Sequence, residues 1–102
     1  MADYVYVALL DVPAHFEAEF NRLYDTDHVP KMLAVPGVHS AKRFKVEATT
    51  LPNYCRYAAM YEIDSPDLKE SAAWKATASP DWLNKVRPAL IHHDYIMYKR
   101  IL

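Results

Sequence analysis

The chain has 102 residues, 52% of them apolar and 25% charged, so we expect one globular domain over residues 1–102 and not a disordered segment. Its net charge is −1 and its basic residues are scattered, which argues against nucleic acid or an anionic membrane surface as a partner. The longest apolar run, residues 4–10, is far shorter than a membrane span, and Met1-Ala2-Asp3 lacks the basic region of a signal peptide. We therefore expect a cytoplasmic protein.

The chain begins with a strand that is followed by a helix. Residues 4–10 are apolar, rich in β-branched and aromatic types, and too few for a helix, so they predict a buried strand that ends before Pro13. From Ala14 to about Asp27 the apolar residues recur at helical spacing, with polar residues on the other face. This pattern predicts the first helix.

Two proline signals separate this helix from the second strand. Pro30 disfavours helical backbone at Val29, so we predict a break there, followed by a short further turn over residues 31–35. Pro36-Gly37 predicts a turn in which the glycine takes a positive φ. Residues 38–46 then predict the second strand.

The second half of the chain begins with a third strand and a helix. A polar connection over residues 48–53 leads to a predicted strand over residues 54–63. Ser65-Pro66-Asp67 combines a good N-cap, a proline suited to the first helical position and an acid that favours a helix N-terminus. It predicts a helix that ends at about Ala76.

The same type of tripeptide returns before the last strand. Ser79-Pro80-Asp81 predicts a shorter helix through Lys85 or Val86, which Pro88 should stop, and residues 92–101 predict the last strand. The order strand, helix, strand, strand, helix, strand predicts a ferredoxin-like α+β fold. Its β-α-β-β-α-β chain would form a four-stranded antiparallel sheet with helices on one face.

The predicted sheet is apolar on both faces. In the third strand Tyr57 and Tyr61 point one way, whereas Ala58 and Met60 point the other way. An antiparallel sheet with one wet face should alternate apolar with polar residues. Since the helices cover only one face, a second copy of the sheet is the economical cover, and we predict a homodimer. The alternative is a monomer with a large exposed aromatic face.

The segment from Tyr24 to His28 carries the clearest chemical signal. Tyr24 and His28 are four residues apart, so both should point into the space between the helix and the sheet. An imidazole with a pKa of about 6.5 can take or give a proton at neutral pH, and Asp25 or Asp27 could orient it. The alternative is a histidine that caps the last carbonyl groups of the helix.

Three further residues are candidates for substrate binding. Arg43 in the second strand could bind a carboxylate or enolate oxygen, although an exposed strand arginine is the simpler interpretation. Trp74 and Trp82 could line an aromatic pocket, with packing in the core as the alternative.

We expect neither a metal nor another cofactor. His92 and His93 are adjacent in a strand and face opposite sides, so they cannot chelate one ion together. A three-ligand site from His28, one of this pair and an acid is the alternative. The sequence has no glycine-rich phosphate loop, dinucleotide fingerprint or nucleophile elbow.

The motif Tyr24-x3-His28-x-Pro30, followed by Val35-Pro36-Gly37 and Ala41-x-Arg43-Phe44, resembles the dimeric α+β barrel superfamily. Within it, the chain looks most similar to the EthD-like branch, which includes REDY-like proteins. The resemblance implies a homodimer with a site in each subunit, between the sheet and the helices, and His28 is the position it carries over. Members include isomerases, cyclases, cofactor-free monooxygenases and haem proteins.

These interpretations together predict a cofactor-independent enzyme of the isomerase, cyclase or lyase type. Its substrate would be a small apolar or aromatic carbonyl-bearing metabolite of a catabolic or secondary-metabolite pathway. His28 would act as general acid or base, Tyr24 would donate a hydrogen bond to the oxyanion, and Asp27 would set the histidine tautomer. The residues expected to bind the substrate are Arg43, Trp74 and Trp82. The alternatives are a non-catalytic carrier of such a metabolite and a haem-linked monooxygenase.

Overall fold

The computed structural model describes residues 2–102 and contains one four-stranded antiparallel sheet. Its strands are β1 (Tyr4–Asp11), β2 (Val38–Lys45), β3 (Tyr57–Ile63) and β4 (His92–Lys99). They lie in the order β2-β3-β1-β4, which confirms the predicted ferredoxin-like α+β fold. No helix within residues 2–102 is both long and apolar enough to cross a membrane.

Two strand boundaries differ from the prediction by more than one residue. β3 begins at Tyr57 and not at Tyr54, because its last register pair with β2 is Lys45–Tyr57, followed by one further backbone bond from the N–H of Val46 to the carbonyl of Arg56. β4 ends at Lys99 and not at Ile101, because β1, its only neighbour, begins at Tyr4, directly opposite Lys99. A strand continues only as long as its neighbour offers backbone partners.

The first helical segment runs from Ala14 to Leu33 without the break predicted at Val29. It consists of a 3₁₀ turn (Ala14–Phe16), α1 (Glu17–Leu23), a π turn (Tyr24–His28) and α2 (Val29–Leu33). Val29 is helical, with φ −60° and ψ −47°, so the predicted break is wrong. The N–H of Val29 bonds to the carbonyl of Tyr24, five residues back, and this wider turn makes room for the ring of Pro30. We call Tyr24–His28 the first π turn.

The single helix predicted from Ser65 to Ala76 is two short pieces. A 3₁₀ turn (Pro66–Glu70) is separated from α3 (Ala72–Lys75) by Ser71, which has extended backbone (φ −69°, ψ 152°). The hydroxyl of Ser71 accepts a hydrogen bond from the N–H of Trp74 at 3.1 Å and so caps α3. The prediction of one helix is wrong because Ser71 starts a second one.

The third helical segment passes through Pro88, which was predicted to stop it. A π turn (Trp82–Val86) leads into a 3₁₀ turn (Arg87–Ala89). The N–H of Arg87 bonds to the carbonyl of Trp82, again five residues back and again one residue before a proline. We call Trp82–Val86 the second π turn.

The turn before β2 forms as predicted. Gly37 has φ +99°, a backbone conformation that other residues rarely adopt, and the N–H of Val38 bonds to the carbonyl of Val35 at 3.1 Å. A Cβ at this position would lie 3.1 Å from a methyl group of Leu68. The turn therefore needs a glycine for both its conformation and its packing.

The core lies between the sheet and the helical segments. Alternate β1 residues Tyr6, Ala8 and Leu10 face the helices, as do Tyr57 and Tyr61 of β3, since residues directly opposite in a sheet share a face. Eight side chains are almost completely buried, namely Leu10, Val12, Phe20, Tyr24, Met32, Tyr61, Ile63 and Val86. These residues hold the first helical segment against the centre of the sheet.

Candidate functional site

A cavity of about 480 Å³ lies between the sheet and the helical segments. Tyr6 and Tyr61 line it from the sheet, and Tyr24, His28 and Trp82 line it from the two π turns. Its size is typical of a pocket for a small organic molecule. Since π turns occur frequently at functional sites, this cavity is the candidate site.

The two π turns place an imidazole against an indole. The rings of His28 and Trp82 are stacked, with centroids 3.9 Å apart and planes 11° apart. Tyr24 meets both rings edge-on, at 5.2 Å from His28 and 5.1 Å from Trp82. The three side chains form one packed aromatic wall of the cavity.

His28 is a neutral base in this environment. Burial lowers its pKa to about 4, against the opposing effects of a backbone group of Thr77 and the charge of Asp27. Its Nδ1 atom is buried and has no hydrogen-bond partner within residues 2–102. A pKa near 6.5 was expected, and burial is the reason for the difference. Because the ring is uncharged at neutral pH, the alternative of a charged helix cap is not supported.

The predicted contact between an aspartate and the imidazole is absent. The carboxylate of Asp27 accepts hydrogen bonds from Lys31 and from the hydroxyl of Ser79, and Asp25 accepts one from Arg43. Asp27 therefore acts on His28 through its charge alone. The sequence prediction failed here because the short aspartate side chain has closer donors on either side of it.

Ser79 connects the two π turns. Its hydroxyl donates to Asp27 in the first π turn and accepts from the N–H of Trp82 at 3.1 Å in the second. Ser79 is buried, so its bond with Trp82 is shielded from water, while its bond with Asp27 is partly buried. From the sequence it was identified only as an N-cap, and nothing in the local pattern indicated Asp27 as its second partner.

Two tyrosine hydroxyls meet in the buried part of the site. The hydroxyl of Tyr61 donates to that of Tyr24 at 3.2 Å. Burial raises the pKa of Tyr24 well above its usual value and that of Tyr61 to about 12. Both phenols are therefore protonated at neutral pH, and Tyr24 keeps its own proton for donation. Tyr61 was not singled out from the sequence, although the alternation of β3 placed it on the face of Tyr57.

Arg43 lies outside the cavity that His28 lines. Its guanidinium stands 4.3 Å from the ring centroid of Tyr24 and donates to Asp25 and to Asn21, at 2.8 Å each. It is mostly buried, with 16% of its side chain exposed, so the alternative of an exposed strand arginine is also wrong. The structure separates Arg43 from the other predicted substrate-binding residues and places it behind Tyr24 as a support.

The two tryptophans are brought together at the cavity. Trp74 lines it and meets Tyr6 edge-on at 5.0 Å, while Trp82 forms the wall described above. His93 also lines the cavity, whereas His92 does not, in keeping with their opposite directions in β4. No group of three or more possible metal ligands occurs within residues 2–102.

Residues 3–90 match the protein family described as "Domain of unknown function (DUF4286)". The chain belongs to the DUF4286 family. No curated protein matches this DUF4286 chain.

Several solved structures share the fold of the DUF4286 chain. The haem degrader MhuD from Mycobacterium tuberculosis, with two haems in its active site, is 13% identical, with 97% of this chain and 96% of that chain covered and a TM-score of 0.69. An EthD-family protein from Bacillus halodurans is 12% identical, with 96% and 99% covered and a TM-score of 0.67. SnoaB, a cofactor-independent oxygenase from Streptomyces nogalater, is 18% identical, with 99% and 96% covered and a TM-score of 0.63.

At these identities the likeness shows the fold alone. It agrees with the ferredoxin-like α+β fold predicted from the sequence. The EthD-family protein is one neighbour among proteins of other kinds, so the more specific assignment to the EthD-like branch is not supported. The activities named here are those of the compared proteins.

Proposed function

We propose that this DUF4286 chain is a small cofactor-independent enzyme that moves a proton next to a carbonyl group of an apolar or aromatic metabolite. The reaction would be of the isomerase, cyclase or lyase type. The observation that carries the proposal is a neutral His28, with a buried nitrogen that lacks a partner, in the wall of a cavity of ligand size. A shared fold with a cofactor-independent oxygenase is compatible with it.

His28 acts as the general base. At neutral pH its imidazole is uncharged and can accept a proton from the carbon next to the carbonyl group. A pKa of about 4 makes it a weak base toward water. When an enolate forms beside it, the negative charge favours the imidazolium, because opposite charges attract strongly in a buried site. The negative charge that forms on the enolate therefore favours the transfer of the proton to His28.

Tyr24 stabilises the enolate oxygen. Its hydroxyl accepts a hydrogen bond from Tyr61 and donates to no acceptor within residues 2–102. A buried neutral donor is worth more to a developing oxyanion than a water molecule would be, since it does not have to reorient. Arg43 and Phe20 pack on the ring of Tyr24 and hold it in place.

The tryptophans and Asp27 have supporting roles in this proposal. Trp74 and Trp82 provide apolar surface for the substrate, and Trp82 excludes water from one face of the imidazole. Asp27 favours the imidazolium through its charge and, by way of Ser79, holds Trp82 in position. Asp27 is therefore a positioning residue in our proposal.

Exchange of α-protons in D₂O tests the proposal without knowledge of the natural substrate. The probe is 2-tetralone, a small aromatic ketone, and its exchange is followed by proton NMR. We expect the wild type to accelerate exchange and His28→Gln to lower the rate by about a hundredfold or more. The matched control is His39→Gln, since His39 is exposed and pairs with Asp64 away from the cavity. Equal rates for the two variants would contradict the role of His28.

Two alternatives make different predictions for the same preparations. A carrier would bind 2-tetralone, as seen by fluorescence of the two tryptophans, without accelerating its exchange. For a haem-linked monooxygenase, an imidazole nitrogen of His28 would be the iron ligand. A Soret band on haem titration, lost in His28→Gln, would favour the haem alternative over ours.

We also propose that a second copy of the chain covers the open face of the sheet. The exposed apolar side chains there include Phe44, Met60, Ile96 and Tyr98. Met60 and Ile96 share this face because both lie directly opposite Val7. The alternation of side chains along β4 and β2 places Tyr98 and Phe44 on the same face. Such a face is large for a soluble monomer, and the twofold pairing of two sheets would bury it.

A further inference from the structure

The cavity carries an excess of positive charge at its exposed side. Lys69, Lys75 and Arg87 all line it, and no carboxylate of residues 2–102 does. The chain as a whole has a net charge of −1, so this local excess is not a reflection of a basic protein. A cleft lined by one sign of charge raises the local concentration of ligands of the opposite sign.

The three cations differ in how far their charge is already neutralised. Lys69 and Lys75 share a single carboxylate, that of Glu70, at 3.1 Å and 3.7 Å. The side chain of Arg87 makes no ion pair or hydrogen bond within residues 2–102. Arg87 is therefore the cation most available to a ligand, and it presents a planar fork of donors that matches a carboxylate.

The inner part of the cavity is suited to a flat ring. The stacked rings of His28 and Trp82 form one wall, and Trp74 stands edge-on to Tyr6 at another. Polar side chains also line it, among them His28, Tyr24, Tyr61 and Thr77. A ligand that fills it would be planar over most of its length, because its faces would meet aromatic rings.

We propose that the cavity takes a flat organic anion, an aromatic or conjugated carboxylate, with its ring against the His28–Trp82 wall and its carboxylate at Arg87. Lys69 and Lys75 add long-range attraction for the same group. This inference rests on the proposed function of the site and narrows its substrate class. The anionic group is bound at the exposed side, away from the carbon on which His28 acts.

Calorimetric titration with two matched probes tests the inference. The first is 2-naphthoate and the second is 2-naphthamide, which has the same ring and nearly the same shape but no charge. We expect naphthoate to bind at least about tenfold more tightly, and its affinity to fall with added salt while that of naphthamide does not. Arg87→Gln should weaken the binding of naphthoate about fivefold to tenfold and leave the binding of naphthamide unchanged.

Lys85→Gln is the matched control variant. Lys85 belongs to the same helical segment and carries the same charge, but it pairs with Asp81 at 3.6 Å and does not line the cavity. We expect naphthoate to bind this variant as it binds the wild type. Equal losses in Lys85→Gln and Arg87→Gln would contradict the assignment of Arg87.

The remaining outcomes separate this inference from the proposed function. Equal binding of the two probes by the unaltered protein would overturn the preference for an anion and leave the proton-transfer role of the site intact. Binding of neither probe would overturn the anion inference and would also remove support for the proposed function. Because the probe comparison uses the unaltered protein, it does not depend on the folding of any variant.

Discussion

The imidazole of His28 lies flat on the indole of Trp82, with 3.9 Å between the ring centroids. This contact removes one face of the imidazole from water and so contributes to the burial that lowers its pKa to about 4. We predict that Trp82→Leu moves the pKa of His28 upward, toward 6.5. NMR titration of the imidazole protons measures it, with Trp74→Phe as control because no ring contact joins Trp74 to His28. An unchanged pKa in Trp82→Leu would show that other groups bury the ring.

The lowered pKa of His28 also predicts how stability depends on pH. In the unfolded chain the pKa of His28 is about 6.5, so between pH 6.5 and pH 4 the unfolded state binds the extra proton and the folded state does not. The stabilising contribution of a neutral His28 is fully present above pH 6.5 and is lost as the pH falls through 4. Over this window we expect a loss of about 3 kcal/mol at most in the free energy of unfolding.

Urea unfolding at pH 7 and at pH 4.5 measures this loss. His28→Gln should show a smaller decrease between the two pH values than the wild type. His93, whose pKa is also lowered by burial, contributes in the same direction in both proteins, so the comparison isolates His28. A decrease of equal size in His28→Gln would mean that His28 does not carry the effect.

Ser79→Ala should affect both stability and chemistry. The change removes the bond to Asp27 and the N-cap bond from Trp82, so we expect a loss of about 1–2 kcal/mol in the free energy of unfolding. It should also slow the exchange of 2-tetralone, since Trp82 is no longer held against His28.

Ser65→Ala is the matched control for this prediction. Its hydroxyl accepts a hydrogen bond from the N–H of Asp67 at 3.2 Å and so caps a helical turn as Ser79 does. It has no second partner at the cavity, so its loss should lower stability without changing the rate of exchange. Equal rates in the two variants would refute a positioning role for Ser79.

The open face of the sheet predicts the oligomeric state. We expect a homodimer at micromolar concentration by sedimentation velocity, and Ile96→Lys should shift it toward the monomer, because the charge would be buried between two apolar sheets. Leu83→Lys is the control, since Leu83 is similarly exposed but belongs to the second π turn. A folded, soluble wild-type monomer would contradict the homodimer and leave the cavity of each subunit unaffected.

The sequence predicted the fold well because the alternation of the strands and the order of the elements are local patterns. It also placed Tyr24 and His28 on one face, since their spacing of four residues survives a widened turn. The protonation state of His28 was not predictable, because it depends on Trp82, more than fifty residues away in the chain. The bonds of Arg43 to Asn21 and of Ser79 to Asp27 were missed for the same reason: each is a contact between residues far apart in the chain.

The predicted helix ends at Val29 and Pro88 were wrong for a different physical reason. The residue before a proline is disfavoured in a regular α-helix, and this rule predicted an end at Val29 and a stop at Pro88. Both helical segments instead widen by one residue ahead of the proline and continue. Rules that consider one residue at a time cannot predict a π turn, because all five residues of the turn change their conformation together.

Each π turn is in effect a single inserted residue. Deleting one residue from either turn would restore the α-helical pitch and rotate every preceding side chain relative to every following one by about 100°. His28 and Trp82 could then no longer meet face to face, although the composition of both helices would be almost unchanged. The site is therefore encoded in the length of these two turns as much as in the identity of their residues, and a comparison of sequences that ignores one-residue gaps would overlook it.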